Sequence, residues 1–152
     1  MRTDTATRLV RAAPDAIYRA FVDPEALIAW LPPRGMSGRV LLFEPSEGGR
    51  YRIELALDGN RHDGSGKTTE RTDLVSGRFL ALEPGRRIVQ SVEFDSADPA
   101  FAGTMEMIWS LDPAPEGTRV TVAARHVPRG IRAEDHETGL ASSLENLARF
   151  VE

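Results

Sequence analysis

Three histidines, His62, His126 and His136, are the first places to look for chemistry in this chain, which contains no cysteine. Without a thiol there is no disulfide, no thiolate metal site and no cysteine nucleophile. Imidazole remains the side chain best suited to exchange a proton near neutral pH. His126 ends the alternation Val120, Val122, Ala124, and parity turns it inward with them. His136 lies one helical turn before Leu140, at the polar head of an apolar stripe. Either imidazole is a candidate acid or base if it reaches a cleft. Equally, His126 fits a hydrogen-bonded core residue and His136 a group at a pocket mouth. Glu137 follows His136 but is turned about 100° from it on the helix.

Other motifs fall short. A zinc site needs three or four convergent ligands, and the histidines show no HxH, HxxxH or HExxH spacing, so no metal or cofactor is expected. Gly64-Ser65-Gly66-Lys67-Thr68-Thr69 looks like a phosphate loop, but Arg61 stands where that pattern needs its first glycine. The segment also leads toward a strand, whereas a phosphate loop feeds a helix N-terminus. It reads as a hairpin loop with His62, Asp63 and Lys67 at its tip. Arg86-Arg87 and Arg129-x-x-Arg132 are short and lack interleaved aromatics, which fits nucleic acid poorly. Composition leaves a Ser-His-Asp arrangement open, but there is no GxSxG elbow.

The elements that would position these groups are readable from periodicity. Leu140, Leu144, Leu147 and Val151 fall at i, i+4, i+7 and i+11, one stripe on a long helix within the stretch 130–152. Ser142, Ser143, Glu145, Asn146 and Arg149 occupy its other faces. Ahead of it the period is two. After a first strand over Thr3–Arg11, Ala13-Pro14-Asp15 starts a helix burying Ile17, Ala20 and Phe21. A second short helix runs over Glu25–Trp30. Strands are then predicted over 39–43, 51–57, 68–82 with a bend at Gly77, 87–94, 104–111 and 120–126. Asp112 to Gly117, with two prolines, reads as a turn. Short connections favour antiparallel pairing. A long one-sided helix beside such a sheet must bury its stripe on it, so the expected architecture is α+β in one domain over 1–152.

The 152 residues are 41% hydrophobic and 28% charged, with a net charge of -4, an ordinary globular balance. No global field attracts nucleic acid or an acidic membrane. The first residues lack the apolar core of a signal peptide, and no apolar run approaches a spanning helix. A cytoplasmic protein, monomeric or homodimeric, is expected.

The order of marks along the chain resembles the START-like helix-grip (SRPBCC) superfamily, in its branch of heat shock protein 90 ATPase activator homologues. The marks are Ala13-Pro14 and an amphipathic helix ending near Trp30, Gly48-Gly49-Arg50-Tyr51-Arg52 entering a strand, and Gly77 followed by Glu83-Pro84. Glu116-Gly117-Thr118 and His136-x-x-Gly139-Leu140-x-x-x-Leu144-x-x-Leu147 complete them. The family usually carries an aromatic after the helix glycine, where this chain has Leu140. The smaller side chain either enlarges the space under the helix or repacks it. The resemblance implies a curved antiparallel sheet of about six to seven strands gripping the C-terminal helix, with two short helices after strand 1 and a cavity between helix and sheet. Members use that cavity for hydrophobic ligands, for cyclase-like chemistry or for nothing known, and some bind chaperones. Fold therefore leaves function open.

By parity Tyr51, Ile53, Leu55, Met105, Met107, Trp109, Val122 and His126 point toward the helix. Leu140, Leu144 and Leu147 face them, and Trp30 lies near one end; Phe79 and His136 complete the expected cavity wall. The same residues suit a filled core. Three readings follow. The first is a domain holding a small hydrophobic or amphipathic ligand, for which Leu144→Trp is expected to block uptake. The second is a cyclase- or hydrolase-type enzyme using His126 or His136. The third is an interaction protein with a chaperone partner.

Overall fold

A computed structural model describes residues 2–32, 35–57 and 72–152. The glycine-rich stretch read as a hairpin loop, with His62, lies outside the described residues. Strand β1 (Thr3–Val10) leads into helices α1 (Pro14–Val22) and α2 (Pro24–Trp30). Proline opens both helices, where its missing N–H is not needed. Asp23 caps α2 by accepting from the Glu25 N–H at 3.0 Å. Ile17, Ala20 and Phe21 are buried on α1, Leu27 and Trp30 on α2.

Strands β2 (Met36–Phe43), β3 (Arg50–Leu57), β4 (Thr72–Glu83), β5 (Arg87–Phe94), β6 (Met105–Ala114) and β7 (Gly117–Arg125) follow, then helix α3 (Ala133–Val151). Among the described residues they form a seven-stranded antiparallel sheet in the order β1-β7-β6-β5-β4-β3-β2. The expected fold class is the observed one, with α3 packed on the sheet and Leu140, Leu144 and Leu147 buried beneath it. No helix among the described residues is long and apolar enough to cross a membrane.

Three local departures have physical causes. Strand β6 runs on through Pro113, paired with Thr118, where the sequence predicts a turn. The β5 ladder begins only at Arg87, opposite Ser110, so the N–H that Pro113 lacks would have met no partner on that side. The second departure is at the end of β7. His126 leaves the strand with φ of 59°, in the left-handed region, and its side chain is exposed rather than inward. The strand alternation stops at Ala124, and Val127 takes the next buried place. Third, Ser143, expected on an outer face of α3, is 6% exposed. Its hydroxyl donates to the Leu31 carbonyl at 2.8 Å, and the Asn146 amide to the Pro32 carbonyl at 2.9 Å. Both close carbonyls at the end of α2 that the helix itself leaves open.

Candidate functional site

The space between α3 and the sheet is partly filled. At one end Phe21, Trp30 and Trp109 pack edge to face, with Phe21 4.8 Å from Trp30 and 5.1 Å from Trp109 between ring centroids. The Trp30 indole N–H donates to the Ala20 carbonyl at 2.9 Å. Leu144 and Leu147 join this packed part at 1% and 0% exposure. Toward the N-terminal turns of α3 the packing stops, leaving a cleft of about 250 Å³. Its floor is alternate residues of four strands: Tyr51 and Ile53 on β3, Val75 on β4, Val92 and Phe94 on β5, Met105 and Met107 on β6. His136, Gly139, Leu140 and Ser143 form its roof, and Trp109, Leu31 and Met36 lie along its walls.

A second, more polar space of about 360 Å³ adjoins it, lined by Asp95, Ser96, Phe101, Ile131 and Asp135. Asp73, Phe94, His136 and Gly139 border both. A Cβ at Gly139 would meet nothing within 4 Å. Glycine inside a helix costs about 1 kcal/mol relative to alanine, and here it leaves the border of the two spaces free of a side chain.

Most polar groups around the cleft are already engaged. The Tyr51 hydroxyl reaches past β4 and donates to the Ser91 carbonyl on β5. Gly77 makes the crossing possible, because a Cβ there would lie 1.8 Å from the Ser91 oxygen and 2.8 Å from the hydroxyl. Burial pushes the Tyr51 phenol well above its ordinary range, so it stays a neutral donor. The Trp109 indole N–H donates to Gln90 Oε1 at 3.0 Å. His136 Nδ1 lies 2.7 Å from Asp4 Oδ2, across from α3 on β1. Arg2 closes on the same carboxylate, Nε to Oδ1 at 3.2 Å and Nη2 to Oδ2 at 3.0 Å. Asp4 is 2% exposed. Burial alone would raise its carboxyl, but the hydrogen bonds from His136 and Arg2 outweigh it and hold the group below the usual carboxylate range.

Of the residues expected around a cavity, Tyr51, Ile53, Met105, Met107, Trp109, His136 and Leu140 border the cleft. Trp30, Leu144 and Leu147 belong to the packed part of the core, as does Phe79, whose ring centroid is 5.6 Å from Phe43 and 5.4 Å from Tyr51. His126 lies outside the cleft, exposed beyond β7. A change at Leu144 would therefore strike the packed core, and the position that bears on the opening is Gly139. Leu140, which stands where the resemblance leads one to expect an aromatic, is itself part of the cleft's roof. Sequence reasoning missed Val92, Phe94 and Gln90, although their period of two along β5 was there to be read. Asp4 carried no such signal, since its partner sits on α3 at the other end of the chain.

The family model described as "Activator of Hsp90 ATPase homolog 1-like protein" matches residues 11–152. The chain belongs to this AHSA1-like family. Its fold recurs in solved structures. A crystal structure of a Chromobacterium violaceum protein is 34% identical, with 99% of this chain and 96% of that one covered and a TM-score of 0.87. The AHSA1-like protein from Aeromonas hydrophila is 19% identical, covering 99% of this chain and 92% of that one, with a TM-score of 0.71. The AHSA1 protein from Silicibacter pomeroyi is 18% identical, covering 97% and 96%, with a TM-score of 0.77. At these last two identities the likeness is one of AHSA1-like fold alone. No curated protein matches the chain.

Proposed function

We propose that this AHSA1-like domain binds a compact, mostly apolar ligand in the cleft under the first turns of α3. One observation carries the reading. The core beside the cleft is packed to near-zero exposure, yet apolar side chains from four strands and the helix leave about 250 Å³ unfilled. Protein interiors are otherwise close-packed, and a concave apolar space with a few polar groups is the usual form of a small-molecule site. The volume lies just below the usual ligand range of roughly 300–1,000 Å³, which selects a small body. His126 has no part in this reading, and the expectation of a chaperone partner rests on the family description rather than on the cleft.

The test is a titration with the neutral fluorophore N-phenyl-1-naphthylamine, whose emission rises in apolar surroundings. We expect saturable uptake at one site by the unaltered chain. Gly139→Leu puts a side chain at the border of the cleft, starting from a Cβ that meets no neighbour, and we expect it to abolish uptake while helical content and unfolding midpoint are kept. Uptake undiminished in a folded Gly139→Leu chain would remove the cleft as the site.

A further inference from the structure

His136 borders the cleft and meets Asp4 through one ring nitrogen. Its Nδ1 is taken by Asp4 Oδ2 at 2.7 Å. Among the described residues Nε2, on the far side of the ring, has no hydrogen-bond partner, while the residue borders both the inner cleft and the outer space. We propose that His136 is a hydroxyl-recognition site at the cleft mouth, accepting a hydrogen bond through Nε2 from an alcohol or phenol group on a compact apolar ligand. This rests on the cleft being a ligand site, and it adds which ligand chemistry the site selects.

Asp4 is 3% exposed in its side chain and is held on its other side by the Arg2 guanidinium. An ionised carboxylate can only accept, so the hydrogen between the two residues belongs to Nδ1. In a neutral imidazole one ring nitrogen donates and the other accepts, which leaves Nε2 an acceptor. The Asp4–Arg2 pair thus fixes both the tautomer and the ring plane, as a carboxylate does for a histidine elsewhere. An acceptor at the mouth calls for a donor on the ligand. The inner walls, Ile53, Val92, Met105, Met107 and Leu140, call for an apolar body. Anionic ligands are disfavoured, because Asp73 borders the cleft itself and Asp95 and Asp135 border the adjoining outer space. A hydroxyl satisfies all three conditions; a carboxylate fails the last, and an ether or ketone fails the first.

Three probes on one carbon frame separate these cases: 2-naphthol, 2-methoxynaphthalene and 2-naphthoate, titrated calorimetrically against the whole chain in mildly alkaline buffer. We expect 2-naphthol to bind roughly 2- to 12-fold more tightly than the ether, the value of one net hydrogen bond, and 2-naphthoate to bind weakest. His136→Leu should erase the advantage of the naphthol over the ether. Two-bond proton–nitrogen NMR of the unaltered protein reads the tautomer directly, and needs no variant to fold. We expect hydrogen on Nδ1, and an Nε2 resonance that moves with 2-naphthol and not with the ether. Equal affinity for naphthol and ether, a preference that survives His136→Leu, or hydrogen on Nε2 would each overturn this inference while leaving the cleft as a ligand site. Failure of all three probes to bind would overturn both.

Discussion

Gly139→Ala isolates the energetic consequence of the opening under α3. The perturbation adds one methyl group to the middle of a nineteen-residue helix. In most helices such a change mixes backbone entropy with packing, because the methyl touches something. At Gly139 a Cβ meets nothing within 4 Å, so packing drops out and the intrinsic preference of the helix remains. That preference is about 0.5–1 kcal/mol in favour of alanine, chiefly because the unfolded chain loses freedom it would otherwise have to surrender. In a domain of this size, 1 kcal/mol moves the thermal midpoint by roughly 2–4 °C. We therefore expect Gly139→Ala to raise the midpoint by up to that amount in a melt followed by circular dichroism. The urea midpoint should rise with an unchanged slope. N-phenyl-1-naphthylamine should still enter, since a methyl group takes up little of the cleft's roughly 250 Å³. A lowered midpoint would refute the reasoning, because it would mean that the roof of the cleft is in contact with something at Gly139.

Three further outcomes follow from other residues. Asp4→Asn should destabilise the chain by about 1–3 kcal/mol near neutral pH, since it removes a buried charged acceptor from both His136 and Arg2. The folded-state carboxyl of Asp4 lies below its ordinary value, so its contribution is complete above the unfolded pKa of about 4 and fades as pH falls through the folded one. Unfolding curves of the two chains should accordingly converge in acid, and a constant gap down to the lowest pH would exclude this source. Gly77→Ala should cost more than about 3 kcal/mol or prevent folding, because its Cβ would lie 1.8 Å from the Ser91 carbonyl oxygen; an expressed, stable Gly77→Ala chain would show that β4 can move aside. His126→Gly should stabilise by about 1 kcal/mol by relieving a left-handed backbone, with probe uptake unaltered, and lost uptake would return His126 to the cleft.

Periodicity carried the architecture, and the reason is visible residue by residue. Leu140, Leu144 and Leu147 are buried because a single stripe on a long helix has one sheet to face, and Met105, Met107 and Trp109 are buried because strand parity leaves them no alternative. Parity cannot say where a strand stops, and that is why His126 was misplaced: one left-handed residue ends the alternation. Nor does parity separate a filled core from an open one. Trp30, Phe79, Leu144 and Leu147 have the same character as Met105 and Leu140, yet the first four close the interior and the last two border a gap. What decides between them is where the rings of Phe21, Trp30 and Trp109 run out, a three-dimensional fact with no one-dimensional trace. Asp4 was invisible for a related reason. A carboxylate in an exposed-looking first strand gains meaning only when His136 arrives from the other end of the chain.

The strand order also sets a schedule. β1 is at one edge of the sheet, and its described ladder is with β7, pairing Thr3 with Arg125 and Val10 with Thr118. A chain emerging from the ribosome presents β1 ahead of β7, and β1 must wait through five intervening strands for its neighbour. Until then Val10 and the edge of β1 have no native partner. Closing so distant a pairing takes a large loop-closure entropy before it returns any contact. β1 should dock late, after the consecutive hairpins from β2 to β7 have assembled. The bond from His136 to Asp4 at the cleft mouth needs β1 and α3 together, so the site is completed only when elements from the two ends of the fold have met. Pulse-labelled hydrogen exchange during refolding should find the amides of β1 protected last.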